Sequence, residues 1–329
     1  MIKAFLQISK RILPNRTGRF LVFAHLAIII YEFAAKPGLA FLLILTALPL
    51  AAQQTEQNPS PLTKTIRQHQ RITQIETPGR RIELTTLKGA VLFADPRVKT
   101  NKPVPLIIHF HGAPWLIQFH IARHLPNAAL ITVNLGAGSR AYGRPFEQAE
   151  TFQSLIDEAG KRLDLKRGWS SITLVGFSAG YGAVRAILRQ YENFRRVNNV
   201  LLLDGIHAGY VPESKPPIGG GGAAIHPADL DSFIRFAREA AAGKKSFVIT
   251  HSEIFPGTYA GTTECVDYLL TTLGLKRRPE LRSESFGMKQ LSKINKKGFR
   301  IRGYAGNTAP DHIDYLHAMP VWFRLLSIK

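Results

Sequence analysis

Residues 176–180, Gly-Phe-Ser-Ala-Gly, place one serine between small residues. A serine hydroxyl becomes an effective nucleophile when a sharp turn holds it out of the backbone, close to a base and an oxyanion site. Such a turn requires a strand before the serine and a helix after it. The apolar run 172–175 precedes Ser178, and residues 181–191 carry apolar side chains at helical spacing. The sequence therefore predicts a nucleophilic serine, against the alternative of a glycine-rich turn with an incidental serine.

The elements around this turn alternate between short apolar strands and helices. An antiparallel hairpin is expected over 81–93, and strands are expected at 105–110, 129–134, 172–175, 199–204, 246–250 and 298–304. Helices are expected at 146–162, 181–191, 227–242, 266–273 and 313–326. Near-continuous apolar strands that alternate with helices indicate an α/β fold, namely a doubly wound, mostly parallel sheet with helices on both faces.

The N-terminal region carries two apolar runs, at 20–33 and 39–52. Each is shorter than the ~20 residues that cross a bilayer comfortably. The second resembles the core of a signal peptide, with Lys36 before it and Ala51-Ala52 at its end. We therefore expect residues 1–52 to be an export signal or a membrane anchor, so that the protein is periplasmic, secreted or membrane-tethered. The Gln- and Pro-rich stretch 53–70 is expected to be a linker, followed by one domain over 71–329.

The composition is strongly basic, with a formal net charge of +20. After residue 52 there are 37 Lys/Arg and 22 Asp/Glu, and the basic residues occur as scattered pairs. This charge favours an anionic envelope polymer or a lipid surface as a partner. No nucleic-acid-binding motif accompanies it, so no nucleic acid is expected. The single cysteine, Cys265, excludes an intramolecular disulfide and is expected to be a buried small side chain.

Over about residues 80–326 the chain resembles the α/β-hydrolase superfamily of serine esterases, lipases and peptidases. The resemblance rests on the turn at Ser178, on the upstream segment His-Phe-His-Gly at 109–112, and on a late histidine, His312. In that superfamily the nucleophile, the acid and the histidine follow one another in this order along the chain. The resemblance implies that Ser178 is the nucleophile and that His312 is first general base and then general acid.

The resemblance leaves the acid of the triad open between two residues. Glu253 follows the strand at which the superfamily usually carries this acid, whereas Asp204 ends the preceding strand, an accepted variant. The resemblance also implies that backbone amides stabilise the oxyanion, one from Ala179 and one from Gly112 or Ala113.

Several other side chains fall near the predicted strand ends, and their alternative role is simple packing. The candidates for substrate contact are His111, Trp115, Tyr181, His207 and His251. This density of histidines also suggests a metal site, but no ligand spacing supports one, so neither a metal nor a cofactor is expected.

Together these features predict an exported serine hydrolase that cleaves an ester through an acyl-enzyme. A cell-envelope peptidase or amidase is one alternative, so the substrate is either a small molecule or an envelope component. A non-catalytic protein that holds a polyanionic envelope ligand on a hydrolase scaffold is another alternative.

Overall fold

Ten β-strands form one sheet in the computed structural model, which describes residues 67–211 and 224–328. The predicted export segment, most of the predicted linker and the Gly-rich residues 214–223 lie outside the described residues. The strands are β1 Arg80–Glu83, β2 Ala90–Ala94, β3 Val104–Phe110, β4 Ala129–Val133, β5 Trp169–Phe177, β6 Asn199–Leu203, β7 Ser246–His251, β8 Arg278–Ser283, β9 Lys289–Lys296 and β10 Phe299–Tyr304.

Nine α-helices connect or follow these strands in the described part of the chain. They are α1 Pro114–His124, α2 Ser139–Gly143, α3 Ala149–Arg162, α4 Tyr181–Arg189, α5 Tyr191–Arg196, α6 Asp231–Ala242, α7 Thr262–Thr272, α8 Ala309–His317 and α9 Pro320–Phe323. None of the helices within the described residues has the length and apolar character needed to span a membrane.

The strand order across the sheet is β1-β2-β4-β3-β5-β6-β7-β10-β9-β8. The six central strands, from β4 to β10, are parallel to one another. The pair β1-β2 at one edge and the pair β9-β8 at the other edge run antiparallel. The prediction of a mostly parallel sheet is therefore confirmed, and the carboxyl ends of β3, β5, β6, β7 and β10 meet along one edge.

The sheet separates two apolar layers. Alternate residues of β3 belong to different layers, since Leu106 and Ile108 pack in one and Ile107 packs in the other. The first layer includes side chains from α3 to α7, and the second includes α1, α8 and α9. Two such layers are expected because side chains alternate between the two faces of a sheet and both faces of this sheet are covered. Cys265 is fully buried in the first layer, as expected.

Several features differ from the sequence-based expectation. Helices α1, α2 and α5 were not expected, although at the start of α1 Pro114 occupies a first-turn position that proline tolerates well. Strands β8 and β9 were also not expected, because β8 is almost entirely exposed and both strands are rich in charged side chains. The last predicted helix is two helices, and the first of them begins at Ala309, so His312 lies on α8 and not in the loop before it.

Candidate active site

Ser178 occupies the sharp turn between β5 and α4. Its backbone has a φ of 47°, in the left-handed region that side chains other than glycine seldom adopt. A Cβ atom at Gly180 would lie 2.1 Å from the carbonyl oxygen of Phe110, so glycine is required where this turn passes β3. The serine therefore sits on a strained strand-to-helix turn at the carboxyl edge of the sheet.

Asp204 and His312 are directly connected. Oδ2 of Asp204 lies 2.6 Å from Nδ1 of His312, and the aspartate side chain is 2% exposed against 21% for the histidine. An ionised carboxylate only accepts hydrogen bonds, so the imidazole donates its Nδ1–H to Asp204. In the neutral ring this leaves Nε2 as the acceptor.

The carboxylate of Asp204 is held by further donors. Its Oδ1 accepts the backbone N–H of Ser252 at 2.9 Å and the hydroxyl of Thr262 at 2.8 Å. Burial alone would raise the pKa of Asp204, but the hydrogen bonds from His312, Thr262 and Ser252 outweigh it and lower the pKa from its ordinary value. Asp204 is thus a buried carboxylate whose charged form has the partners it needs.

His312 is oriented by its helix and by a neighbouring ring. Thr308 caps α8, since its hydroxyl accepts the N–H of Asp311, and the carboxylate of Asp311 accepts the N–H of Thr308 in return. This capping box starts the helix at Ala309, so that His312 lies in its first turn. The ring of Phe177, the residue preceding Ser178, stacks on the imidazole with centroids 4.5 Å apart. The histidine therefore lies beside the turn that carries the serine.

The loop after β6 packs against the same turn. A Cβ atom at Gly205 would lie 2.6 Å from the carbonyl oxygen of Ser178 and 2.8 Å from its nitrogen. The structure thus brings Ser178, Asp204 and His312 to one place, in the chain order that the sequence resemblance implies.

Glu253 occupies a different position from Asp204. Its Oε2 accepts the backbone N–H of Gly306 at 3.1 Å, and its own N–H donates to the Gly306 carbonyl at 3.0 Å. These bonds connect the loop after β7 to the loop that leads into α8. Glu253 is exposed and braces this second loop, whereas Asp204 is the acid that accepts the hydrogen bond from His312.

The backbone amides near the serine are not equivalent. The N–H of Gly112 donates to Oδ1 of Asn134 at 3.1 Å, so this amide is already engaged within the protein. Ala113 follows it with extended backbone angles and begins α1, and its carbonyl accepts from Leu116. Ala179 is the residue after the serine and starts the turn into α4.

His111 is held by Tyr142. Its Nδ1 lies 2.8 Å from the Tyr142 hydroxyl, and that oxygen also accepts the N–H of Leu135 at 3.2 Å. Because the hydroxyl already accepts one hydrogen bond, we assign its own hydrogen to Nδ1, which places the imidazole proton on Nε2. Burial and the nearby His312 lower the pKa of His111, which favours this neutral form. His111 is therefore a hydrogen-bond donor beside the site.

His207 has the opposite character. Its Nδ1 lies 3.1 Å from the carbonyl oxygen of Ala260, so this nitrogen donates and Nε2 is the acceptor. The rings of Tyr181 and Tyr259 contact it edge-on, with centroids 5.4 Å and 5.1 Å away. Burial lowers the pKa of His207 to about 4, so the ring is neutral. It is three residues after Asp204 along the loop that packs on the serine turn.

The remaining substrate candidates pack against other parts of the protein. His251 is 3% exposed, and its Nδ1 lies 2.7 Å from the Thr263 hydroxyl. Trp115 is half-buried and packs on the second apolar layer. Tyr181 is 8% exposed, and its hydroxyl donates to Ser139 at 3.1 Å. The contacts of these three side chains are with the protein interior.

One group of possible metal ligands exists among the described residues. Atoms of His69, Asp311 and Asp314 lie within 4.8 Å of one another. Arg67 and Arg71 both donate to Asp314, however, and Arg67 also donates to Asp311 at 2.7 Å. Two guanidinium groups thus neutralise these carboxylates, and the donor set is that of an ion-pair cluster and not of a cation site.

Sequence reasoning missed several side chains that shape the site, namely Asn134, Tyr142, Ser252 and Thr262. Asn134 follows β4 directly at the carboxyl edge of the sheet, so its position in the sequence could have identified it. No comparable signal exists for Tyr142, whose contact with His111 spans 31 residues.

The ten-stranded sheet is mostly parallel and has helices on both faces, and Ser178 lies in the sharp turn after its fifth strand. This arrangement is an α/β-hydrolase-like fold. Several solved structures are similar to this chain. Est1E from Butyrivibrio proteoclasticus is 15% identical, over 76% of this chain and 98% of its own, with a TM-score of 0.39. Carboxyl esterase 2 from Tuber melanosporum is 17% identical, over 78% and 86%, with a TM-score of 0.42. Carboxylesterase CesB from Bacillus subtilis is 12% identical, over 77% and 92%, with a TM-score of 0.39.

Neither a protein-family model nor a curated protein matches the sequence. The fold assignment rests on the strand order and on the position of Ser178. The distant structural similarities add nothing about the substrate.

Proposed function

We propose that this protein is a serine hydrolase that cleaves an ester through an acyl-enzyme on Ser178. The observation that carries the proposal is the 2.6 Å hydrogen bond between Asp204 and His312 beside a serine with left-handed backbone geometry. A buried carboxylate that fixes the tautomer of a histidine next to an elbow serine is the arrangement that activates a hydroxyl.

In the proposed reaction, Nε2 of His312 takes the proton from the Ser178 hydroxyl as its oxygen attacks the carbonyl carbon of the ester. Asp204 holds the Nδ1–H and stabilises the imidazolium that forms. His312 then gives the proton to the departing alkoxide, which leaves as an alcohol. A water molecule then attacks the acyl-enzyme, while His312 takes its proton and passes it to the Ser178 oxygen. This step releases the acid and regenerates Ser178. Every proton is accounted for by the substrate, the water and His312.

The oxyanion of each tetrahedral intermediate needs preorganised donors. We assign the amides of Ala179 and Ala113 to this role, because the Gly112 amide is engaged by Asn134. Of the two amides that the sequence leaves open, Gly112 and Ala113, we therefore favour Ala113.

Two histidines supply polar groups for the substrate in this proposal. His111 offers an Nε2–H donor, and His207 offers an Nε2 acceptor that suits a hydroxyl or an amide N–H of the substrate. His251, Trp115 and Tyr181 support the site through the protein contacts described above. We further propose that the protein is exported and acts on a small or cell-envelope substrate, since residues 1–52 carry the two apolar runs.

The test is labelling of the purified protein with a fluorophosphonate probe, followed by a panel of short-chain esters and matched amides. We expect labelling that is lost in Ser178→Ala and strongly slowed in His312→Ala, with ester turnover faster than amide turnover. Faster amide turnover would favour the peptidase or amidase alternative. Absence of both labelling and turnover in a folded protein would favour a non-catalytic binding role.

A further inference from the structure

The positive charge of the chain is concentrated in one part of the fold. Residues 276–302 contain ten Lys/Arg and two Glu, out of 43 and 23 in the whole sequence. These residues form β8, β9 and β10 with their connecting turns, and β8 is the edge strand of the sheet. We call this region the cationic edge. It therefore carries a far higher charge density than the rest of the chain.

The strand register places several of these cations on one face. Lys293 of β9 lies opposite Arg302 of β10 on one side and opposite Arg278 of β8 on the other. Lys289 and Leu291 point to the same side as Lys293, because side chains alternate along a strand, and both are exposed. The face is therefore a ribbon of cations across three strands, with an apolar side chain in its middle.

The two glutamates offset only part of this charge. Glu280 pairs with Lys293 at 2.5 Å, and Glu284 pairs with Arg282 at 2.8 Å. The ten cations of the cationic edge exceed its two acids by eight. Such an excess on one surface attracts an extended anionic partner.

Exposed apolar side chains accompany the cations. Leu281 is 85% exposed and Leu291 is 38% exposed. Charged residues on an edge strand also discourage pairing with another sheet. Preventing such pairing does not require an excess of positive over negative charges, and an exposed leucine favours the pairing instead of preventing it. Cations mixed with exposed leucines are instead the composition of a surface that binds at a bilayer interface.

The chain enters the domain at the same place. Nη1 of Arg67 donates to the carbonyl oxygen of Phe286, in the turn between β8 and β9, at 2.7 Å. The residues before Arg67 include the two apolar runs at 20–33 and 39–52. The first described residue of the chain therefore contacts the turn between β8 and β9 of the cationic edge.

From these three observations we propose that the cationic edge docks on an anionic lipid bilayer. The Lys and Arg side chains pair with phosphate groups of the lipid headgroups, and Leu281 enters the interfacial layer. This contact is independent of catalysis by Ser178, so it stands or falls separately from the proposed function.

The test measures binding of the full-length protein to vesicles of phosphatidylcholine alone and of phosphatidylcholine mixed with phosphatidylglycerol. The variant Arg278→Gln/Lys289→Gln/Lys293→Gln removes three cations from the cationic edge. The matched control, Lys161→Gln/Arg162→Gln/Arg167→Gln, removes three exposed cations from the α3–β5 turn. Each Lys or Arg at an anionic surface strengthens binding about fivefold, so the first variant should lose about a hundredfold in its preference for the anionic vesicles. The control should lose much less.

A second measurement locates the contact. Because Cys265 is 0% exposed, a polarity-sensitive fluorophore can be attached selectively to Leu281→Cys or to Lys161→Cys. We expect a blue shift on adding anionic vesicles at position 281 and none at 161. Equal losses in the two triple variants, or no shift at 281, would overturn the proposal. So would binding of the cationic edge to DNA or to an acidic polysaccharide without binding to anionic vesicles.

Discussion

The carboxylate of Asp204 and the imidazole of His312, which are 108 residues apart in the sequence, share a hydrogen bond of 2.6 Å. The aspartate directly follows a buried parallel strand, and the histidine lies on the first turn of the helix after the last strand. Parallel strands bring such residues together because their carboxyl ends meet at one edge of the sheet. Of the two acids that the sequence leaves open, Asp204 is therefore the one that we assign to the proposed triad.

Replacing Asp204 should be far more harmful to catalysis than replacing Glu253. We expect Asp204→Asn to lower kcat for an activated ester by about 10³ to 10⁴-fold, because the amide no longer fixes the histidine tautomer. Glu253→Gln, the matched control, keeps an acceptor for the Gly306 N–H and should stay within about threefold of the wild type. Steady-state kinetics on both variants decides, and a larger loss in Glu253→Gln would contradict the assignment.

The Ala113 amide can be removed without forcing the backbone into a new conformation. Ala113 has a φ of −73° and a ψ of 111°, values that proline adopts readily and that suit a residue before Pro114. If this amide binds the oxyanion, Ala113→Pro should lower kcat by about 10² to 10³-fold with little effect on stability. Ala113→Ser keeps the N–H and serves as the control. A kcat for Ala113→Pro that equals that of Ala113→Ser would exclude this amide from the oxyanion site.

Stability should fall as the pH drops below the ordinary pKa of histidine. Burial lowers the pKa values of His109, His120 and His251 to about 3 and that of His207 to about 4. Below about pH 6.5 the unfolded chain therefore binds protons that the folded chain does not, and each group lowers the free energy of unfolding by up to about 1.4 kcal/mol per pH unit. The stabilisation is complete above this pH and is lost as the pH falls towards the folded-state values.

Urea unfolding between about pH 7.5 and pH 5 measures this dependence. The control is His109→Leu, because Nε2 of His109 has no hydrogen-bond partner within the described structure. The slope of its free energy of unfolding against pH should be smaller than that of the wild type by the contribution of one proton. A free energy of unfolding that is independent of pH over this range would contradict the prediction.

The ion-pair cluster at Asp314 should contribute strongly to stability. The Asp314 side chain is 0% exposed and forms ion pairs with Arg67 and Arg71. These pairs connect the start of the described chain to α8. Asp314→Ala would remove the carboxylate that two partly buried guanidinium groups share and should cost about 3 kcal/mol. The pair of Arg277 with Asp267, whose side chain is 48% exposed, provides a control, and Asp267→Ala should cost about 1 kcal/mol or less. Equal unfolding midpoints for the two variants would refute the difference.

The sequence predicts the parallel core of the fold because its strands are near-continuous apolar runs, such as 172–175. Such runs are typical of strands that are buried on both faces. It predicts neither β8 nor β9, since edge strands with charged, exposed side chains lack that signal. Chain order alone places Ser178 and His312 in the candidate site. The partners of Asp204, and the bond from Gly112 to Asn134, depend on contacts between distant segments, so no local pattern could show them.

Two residues near the end of the predicted linker show a similar limit. Arg67 and His69 fall within the stretch 53–70, whose polar composition indicates a connector. In the structure both contact Asp314 on α8. A polar segment looks alike in sequence whether its charges face solvent or a buried acid, so only the tertiary contact distinguishes the two cases.

The proposed nucleophile can be tested most directly by identifying the residue that a fluorophosphonate modifies. Mass spectrometry of peptides from the labelled wild-type protein should find a single phosphonyl group on Ser178. The Ser178→Ala protein should be unmodified and should have lost hydrolysis of activated esters. Modification of another residue, or full ester hydrolysis by Ser178→Ala, would contradict the proposal that this protein is a serine hydrolase acting through Ser178.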